Sequence, residues 1–230
     1  MTTDRRARTG NTYEQAVPGF GTVLIRPLDP AGDARTVHRW VNQDRARFWG
    51  MVGRSREQVQ EIYEFVDSLT THHAYMVLRD SAPVALFQTY RPEHDPLGDH
   101  YQVAPGDLGF HLLIAPAAGN PQPGYTGVLL SVFLSFLVTD PTMQRIIAEP
   151  DIRNEKSITR LLRTGFELGP EIDLPEKRAR LVFLPRADAE ALQQRTTARH
   201  EASGFHPAPA QQRVDGVQPR SVPKPPWEEL

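Results

Sequence analysis

The sequence of 230 residues contains no cysteine. This absence excludes a disulfide framework, a thiolate zinc site and a cysteine nucleophile, so any acid–base or nucleophilic chemistry must use other side chains. Long hydrophobic runs are also missing, because no stretch approaches the ~20 apolar residues of a membrane-spanning helix. Residues 1–10 lack the apolar segment of a secretory signal peptide. We therefore expect a soluble cytoplasmic protein that makes no contact with membranes.

A strong net charge is absent as well. The chain has 26 Lys and Arg against 28 Asp and Glu, a formal charge of −2. Without a positive field, nucleic acid is not an expected partner. The adjacent histidines His72 and His73 have no third candidate ligand nearby, so we expect structural or surface roles for them and no metal site.

Composition divides the chain into three parts. Residues 1–18 are polar and are expected to be flexible. Residues 19–196 contain the regular hydrophobic patterns and are expected to form one domain. Residues 197–230 are rich in proline and poor in large apolar side chains, a composition typical of a disordered tail.

The hydrophobic patterns between the tails alternate between the period of a strand and that of a helix, which predicts a mixed α/β fold. Asp33 and Ser55 are candidate N-caps, and Gly165 is a candidate helix terminator. The predicted strands are 21–27, 74–79, 83–90, 107–114, 145–148 and 177–184, and the predicted helices are 34–41, 55–69, 126–139, 156–163 and 187–196.

The strand predicted at 107–114 is apolar except for a single histidine, His111. The turn that follows the 145–148 strand carries two carboxylates, Glu149 and Asp151. Since ligands of open α/β sheets bind at the carboxyl ends of neighbouring strands, these groups could line one cleft. A neutral histidine can accept a proton there, and a carboxylate can orient it. The alternatives are a core histidine bonded to the backbone and a helix-capping Asp151.

Several phrases carry a resemblance to a known family. They are Phe48–Met51, Tyr90–Asp95, Gly106–Pro116, Asp140-Pro141, Glu149–Asn154, Gly165-Phe166 and Glu176–Arg178, within residues 20–185. In order and spacing, the chain resembles the GNAT acyltransferase superfamily, and within it the siderophore-biosynthesis branch of the aerobactin, mycobactin and desferrioxamine pathways. The resemblance implies a GNAT fold: a central, mostly antiparallel twisted sheet with a parallel strand pair splayed around an acyl-CoA cleft, flanked by helices.

The resemblance also implies an N-acyltransferase activity. The donor would be a thioester, either acyl-CoA (acetyl-CoA or succinyl-CoA) or an acyl carrier protein. The acceptor would be an amine or hydroxylamine of a lysine- or diamine-derived siderophore precursor. In the family a histidine matching His111 and an acidic residue of the Glu-Pro-Asp phrase belong to the active site. That places His111 and Asp151 first as catalytic residues and Glu149 close behind, because the sequence does not choose between the carboxylates.

The expected donor loop departs from the family pattern Gln/Arg-x-x-Gly-x-Gly/Ala. Gly124 occupies the first glycine position, but Pro121 replaces the polar residue and Thr126 the second glycine. A helix N-terminus still offers free N–H groups and a favourable dipole to phosphate. Prolines remove N–H donors, so the site could be rearranged or could serve a carrier protein, and Gly124 could be an ordinary loop glycine. The expected donor contacts are Leu113, Ile114, Gly124, Tyr125, Thr126 and Asn154.

The expected acceptor side is an apolar wall. Phe48, Trp49 and Met51 could line it, although the same residues could serve only as core packing. Gln88 and Tyr90 complete the expected acceptor contacts. The family often has a glutamate at the position of Gln88, and the change to glutamine keeps hydrogen bonding but loses the charge that would hold a cationic amine.

Two other functions fit the same sequence. One is a different small-molecule GNAT enzyme, such as an aminoglycoside acetyltransferase, which an open acidic acceptor cleft would favour. The other is a GNAT-fold binding module without turnover, which the irregular loop from Pro121 to Thr126 would favour.

Overall fold

The computed structural model describes residues 12–202 except 118, 120 and 121, with only the backbone for 195–202. Eight strands form one sheet in the order β1-β2-β3-β4-β5-β6-β8-β7. The strands are β1 Tyr13–Val17, β2 Gly21–Pro27, β3 His72–Arg79, β4 Ala82–Tyr90, β5 Asp107–Ile114, β6 Arg145–Ala148, β7 Glu167–Leu174 and β8 Lys177–Pro185. The helices are α1 Ala34–Val41, α2 Arg56–Ser68, α3 Tyr125–Leu137, α4 Glu155–Thr164 and α5 Arg186–Ala202.

All neighbouring strands are antiparallel except β5 and β6. The parallel pairing is short: Asp107–Gly109 of β5 lie opposite Arg145–Ile147 of β6. Beyond Gly109, β5 stays paired with β4 up to Ile114, while β6 ends at Ala148. The two strands therefore separate, and a cleft opens between them. The predicted mixed α/β class, with a mostly antiparallel sheet and a splayed parallel pair, is confirmed.

The helices begin and end where local chemistry requires it. The hydroxyl of Ser55 accepts a hydrogen bond from the N–H of Gln58, whose side chain in turn accepts from the N–H of Ser55. This reciprocal pair satisfies two N–H groups that have no partner within the helix. Gly165 ends α4 with φ of +109°, a conformation that favours glycine. Asp33, in contrast, makes no capping hydrogen bond and instead binds Arg26 through both carboxylate oxygens.

Two apolar layers cover the sheet. Helix α3 packs on one face, where the rings of Phe87 and Phe133 stack with centroids 4.7 Å apart. Helices α1 and α2 pack on the other face, around Trp40, Tyr63 and Met76. A smaller cluster on that second face surrounds Tyr90 beneath β6 and β8. The cleft between β5 and β6 opens on the face that carries α1 and α2. The two clusters of this face meet there, since Leu113 of β5 belongs to one and Ile147 of β6 to the other.

Some boundaries differ from the sequence prediction. Strand β1 lies within residues 1–18, which were expected to be flexible, and its pairing with β2 orders it. Strand β7 was not predicted, since Pro170 and a register shift interrupt its pattern. Helix α5 continues to Ala202, beyond the expected domain end at residue 196. The rest of the expected tail, and residues 1–11, lie outside the described residues.

No membrane-spanning segment is found in the described part of the chain. None of its helices combines the length and the apolar character needed to cross a bilayer.

Candidate active site

His111 lies on β5 two residues past the point where the parallel pairing ends. Its Nε2 atom makes a hydrogen bond to Oε1 of Glu149. The imidazole also lies beside two aromatic rings, with centroids 5.1 Å from Tyr90 and 6.1 Å from Trp49. Its side chain is 38% exposed, whereas that of Glu149 is 5% exposed. The histidine therefore faces the cleft, and the carboxylate lies behind it.

Glu149 follows β6 directly and receives three donors. Besides His111, the hydroxyl of Tyr90 donates to Oε2 over 2.6 Å, and Nζ of Lys177 donates to Oε1 over 3.2 Å. Burial alone would raise the pKa of Glu149. The positive charges of His111 and Lys177, together with the hydrogen bonds, outweigh burial and lower this pKa to about 2. Glu149 is thus an anion at neutral pH.

The ionised state of Glu149 determines which tautomer of neutral His111 is favoured. A carboxylate only accepts hydrogen bonds, so Nε2 of the histidine carries the hydrogen in this contact. The lone pair is then on Nδ1, for which no partner is found among the described residues. An imidazole held in this way can accept a proton from a bound acceptor while the carboxylate stabilises the resulting charge.

The structure does not bring Asp151 to His111. Its carboxylate is buried and binds Arg153 through two hydrogen bonds of 2.9 and 2.6 Å from the guanidinium, and the N–H of Arg153 donates a third. These bonds, chiefly the side-chain pairing, lower the pKa of Asp151. Asp151 also forms an isolated bridge to Ala179. The sequence ranks Asp151 ahead of Glu149 as the carboxylate that acts with His111. In the structure, Glu149 contacts the histidine, and Asp151 stabilises the turn.

A polar network lines the acceptor side of His111. Gln88 lies opposite His111 on β4, and its amide nitrogen is 3.5 Å from the hydroxyl of Tyr63. The indole N–H of Trp49 donates to the same hydroxyl over 3.3 Å. Burial raises the pKa of Tyr63, which therefore stays a neutral phenol. Tyr63 is not among the site residues expected from the sequence, because helical periodicity does not distinguish a core tyrosine from one that reaches a site.

The other expected acceptor residues divide between surface and core. The ring of Phe48 lies under two guanidinium groups, with Arg47 4.6 Å and Arg153 5.9 Å from its centroid. Met51 packs against the α1–α2 cluster, so its packing is accounted for by the core. Of the three residues expected to form the wall, Trp49 contacts the histidine and Phe48 lies nearer the protein surface.

The donor side is formed by the free edge of β5. The N–H of Ala115 donates to Val84 on β4, so by strand alternation the polar backbone groups of Leu113 also face β4, and those of Ile114 face the cleft. Arg45 donates a 2.6 Å hydrogen bond to the carbonyl of Ile114. The N–H of Ile114 is therefore the group placed to pair with an acyl donor, because the carbonyl of Ile114 is bonded to Arg45; Leu113 contributes its buried side chain.

The loop before α3 is held by β3. Gly124 has φ of +79°, and α3 begins at Tyr125, whose N–H is bonded to the carbonyl of Gln122. Arg79 donates 2.7 Å to the side chain of Gln122 and lies 5.6 Å from the ring of Tyr125.

The first turn of α3 offers free N–H groups. For Thr126 and Gly127 we find no backbone acceptor in the described part of the chain, so their N–H groups are available to an anion. Pro121 lies outside the described residues. Asn154 caps α4 by accepting from Ser157, and no group of three possible metal ligands occurs within the residues described.

The comparisons with known proteins agree with this geometry. Residues 29–174 match the acetyltransferase (GNAT) domain family. The N(6)-hydroxylysine O-acetyltransferase of Escherichia coli is 30% identical over 77% of this chain and 56% of its own length. The N-hydroxyputrescine acetyltransferase of Acinetobacter baumannii is 30% identical over 74% of this chain and 84% of its own length. The chain thus spans about half of the E. coli relative.

Solved structures show the same fold. The aminoglycoside acetyltransferase AAC(6')-Ib in complex with coenzyme A superimposes with a TM-score of 0.65 at 22% identity, covering 74% of this chain and 98% of that one. Fold and site define an acyltransferase-type domain with an open strand edge beside a histidine–carboxylate pair. The chain belongs to the GNAT acetyltransferase family, as the resemblance in its sequence implies.

Proposed function

We propose that this protein is an acyl-CoA-dependent N-acyltransferase. The acceptor is an amine or hydroxylamine of a lysine- or diamine-derived siderophore precursor. The observation that carries the proposal is the His111–Glu149 pair at the mouth of the cleft between β5 and β6. Acyl transfer to nitrogen needs a base for the acceptor, and this pair provides one beside a free strand edge where a thioester can pair. The names of the relatives supply the acceptor class.

The arrangement supports the following reaction. The acceptor nitrogen attacks the thioester carbonyl carbon, a C–N bond forms and the C–S bond breaks. Nδ1 of His111 takes the proton lost by the acceptor nitrogen, and Glu149 stabilises the imidazolium. The thiolate of coenzyme A leaves and takes a proton from the solvent. The free N–H groups at the start of α3 would bind the pyrophosphate of the donor, and the backbone of Ile114 would pair with its pantetheine arm.

The charges around the cleft support a small acceptor over an aminoglycoside. Arg45, Arg153 and Lys177 surround the site, and Glu149 and Asp151 are both neutralised by their partners. Gln88 adds no charge. A polycationic aminoglycoside would need an acidic surface, which these residues do not provide.

An assay of coenzyme A release tests the proposal. The protein lacks cysteine, so a thiol reagent reports only the product thiol. Acetyl-CoA and succinyl-CoA would each be offered with lysine, N(6)-hydroxylysine, putrescine and N-hydroxyputrescine, and products identified by mass spectrometry. We expect acylation of at least one acceptor and its loss in His111→Ala. Binding of acyl-CoA without acylation of any acceptor would favour the binding module, and acylation of aminoglycosides alone would favour the second enzyme class.

A further inference from the structure

We propose that Lys177 is a positioning residue that keeps His111 able to act as a base. The inference rests on the proposed acyl transfer and concerns the same site. Lys177 is the first residue of β8. It follows the tight turn between β7 and β8 and pairs with Leu174, the last residue of β7. Its Nζ atom contacts Oε1 of Glu149, the same oxygen that receives Nε2 of His111. One buried oxygen therefore receives two donors, the imidazole of His111 and the ammonium of Lys177.

Lys177 affects His111 through the balance of charge around Glu149. Glu149 is buried, and a buried anion without a counter-charge is strongly unfavourable. Suppose that the imidazolium of His111 were the only positive charge beside Glu149. Loss of its proton would then leave the Glu149 carboxylate without a counter-charge, and this cost would oppose deprotonation of the histidine. Lys177 leaves one positive charge beside Glu149 after the proton has gone. Neutral His111 is then accessible at a lower pH than it would be without the lysine.

The groups around this pair are few. Tyr90 on β4 donates to Glu149 as a neutral phenol, because burial, chiefly, raises its pKa well above the ordinary value. The charge of Lys177 contributes to lowering the pKa of Asp151, but Asp151 is already paired with Arg153. Asp95 and Tyr101 affect Tyr90 through charge, and Asp95 is itself paired with His72. Lys177 is thus the cation that remains on Glu149 when His111 is neutral, and because it is only 17% exposed, solvent screens it weakly.

Lys177→Met tests the inference, and Lys177→Gln serves if the methionine variant does not fold. Removing one charge in direct contact should move the acid limb of the kcat/KM profile to higher pH by about one unit. Lys177→Arg should keep the wild-type profile, because it restores the charge. Arg178→Met is the matched control: the neighbouring cation binds Glu171 over 2.8 Å and is 57% exposed, so its loss should leave the limb in place.

One outcome would contradict the inference. If Lys177→Met lowers the rate evenly at all pH values and the limb does not move, Lys177 is only a packing contact and the inference fails. A second readout needs no turnover: the nitrogen NMR signals of His111, followed against pH in the unliganded protein. Their transition should move to higher pH in Lys177→Met. If the wild type acylates nothing, the proposed function fails, and this titration still decides the role of Lys177.

Discussion

The hydroxyl of Tyr90 donates a 2.6 Å hydrogen bond to Oε2 of Glu149, the carboxylate oxygen that His111 leaves free. Tyr90 and Glu149 are 59 residues apart in sequence and come from β4 and the end of β6. Because the phenol fixes one oxygen and the imidazole and Lys177 share the other, the carboxylate is held in a single orientation. That orientation presents His111 to the cleft.

His111→Ala should fold and lose most turnover. Tyr90 and Lys177 still hold Glu149 in this variant, so the fold should persist, with a melting temperature lowered by the loss of one partner of that buried carboxylate. A general base typically contributes ~10²–10⁴-fold to the rate, and we expect a loss in that range in kcat. Steady-state kinetics with any accepted amine or hydroxylamine would measure it. A folded variant with a near-wild-type kcat would remove His111 from the mechanism.

Glu149→Gln and Asp151→Asn should separate the two carboxylates. Glu149→Gln removes the anion that orients and stabilises the imidazolium, so kcat should fall by ~10-fold or more. Asp151→Asn breaks the pairing with Arg153 and should act mainly on the melting temperature. The comparison is made at equal folded fraction, checked by circular dichroism. Larger loss of kcat in Asp151→Asn would restore the order expected from the sequence.

The depressed pKa of Glu149 predicts a pH-dependent stability. Its folded-state pKa of about 2 lies below the ordinary value of 4.5 for a glutamate. The ionised form therefore stabilises the fold above pH ~4.5 by about 3 kcal/mol, and this contribution is lost as the pH falls from ~4.5 towards 2. Urea unfolding of wild type and Glu149→Gln should show a gap that narrows over this range. A gap independent of pH would contradict the assignment.

Gly109→Ala should destabilise the site by displacing the ring of Tyr90. A Cβ atom at position 109 would lie 2.1 Å from the ring of Tyr90, so the ring must move and its hydrogen bond to Glu149 must weaken. Overpacking of this kind costs roughly 1–3 kcal/mol. Both the melting temperature and kcat should fall. Gly127→Ala is the control for stability alone, because an added Cβ meets nothing within 4 Å there, and helix propensity favours alanine. Equal stability of the two variants would show that Tyr90 can move freely.

Gly124→Val should weaken binding of acyl-CoA while leaving the core packed. Gly124 has φ of +79° and directly precedes the free N–H groups of α3, so a valine would rebuild the start of the helix. Gly53→Val is a matched control, since Gly53 has φ of +84° and equally open surroundings but lies before α2. Calorimetric titration with acetyl-CoA and succinyl-CoA should show lower affinity for Gly124→Val only.

Two outcomes of that titration would change the donor assignment. Equal affinity of the wild type and Gly124→Val would mean that the loop before α3 does not hold the pyrophosphate. If the wild type binds neither thioester, a carrier-protein donor or a module without catalysis becomes the better interpretation.

The sequence by itself determined most of the elements, although not β1 and β7, and the family. The apolar strand 107–114 with its single histidine, the capping residue Ser55 and the terminator Gly165 could be assigned locally, because strand alternation, capping and left-handed glycine depend on neighbouring residues. The phrases shared with the family fixed the fold, since their spacing reflects the same sheet.

Only the tertiary structure decided which groups meet. Glu149 follows β6 in the same alternation as Ile147 and so faces His111, whereas Asp151 lies beyond Pro150, where the chain turns to bridge Ala179. The lysine of the β7–β8 hairpin reaches the same carboxylate from 28 residues away. Such contacts depend on how strands of distant sequence position are registered across the sheet, and no local pattern of residues carries that information.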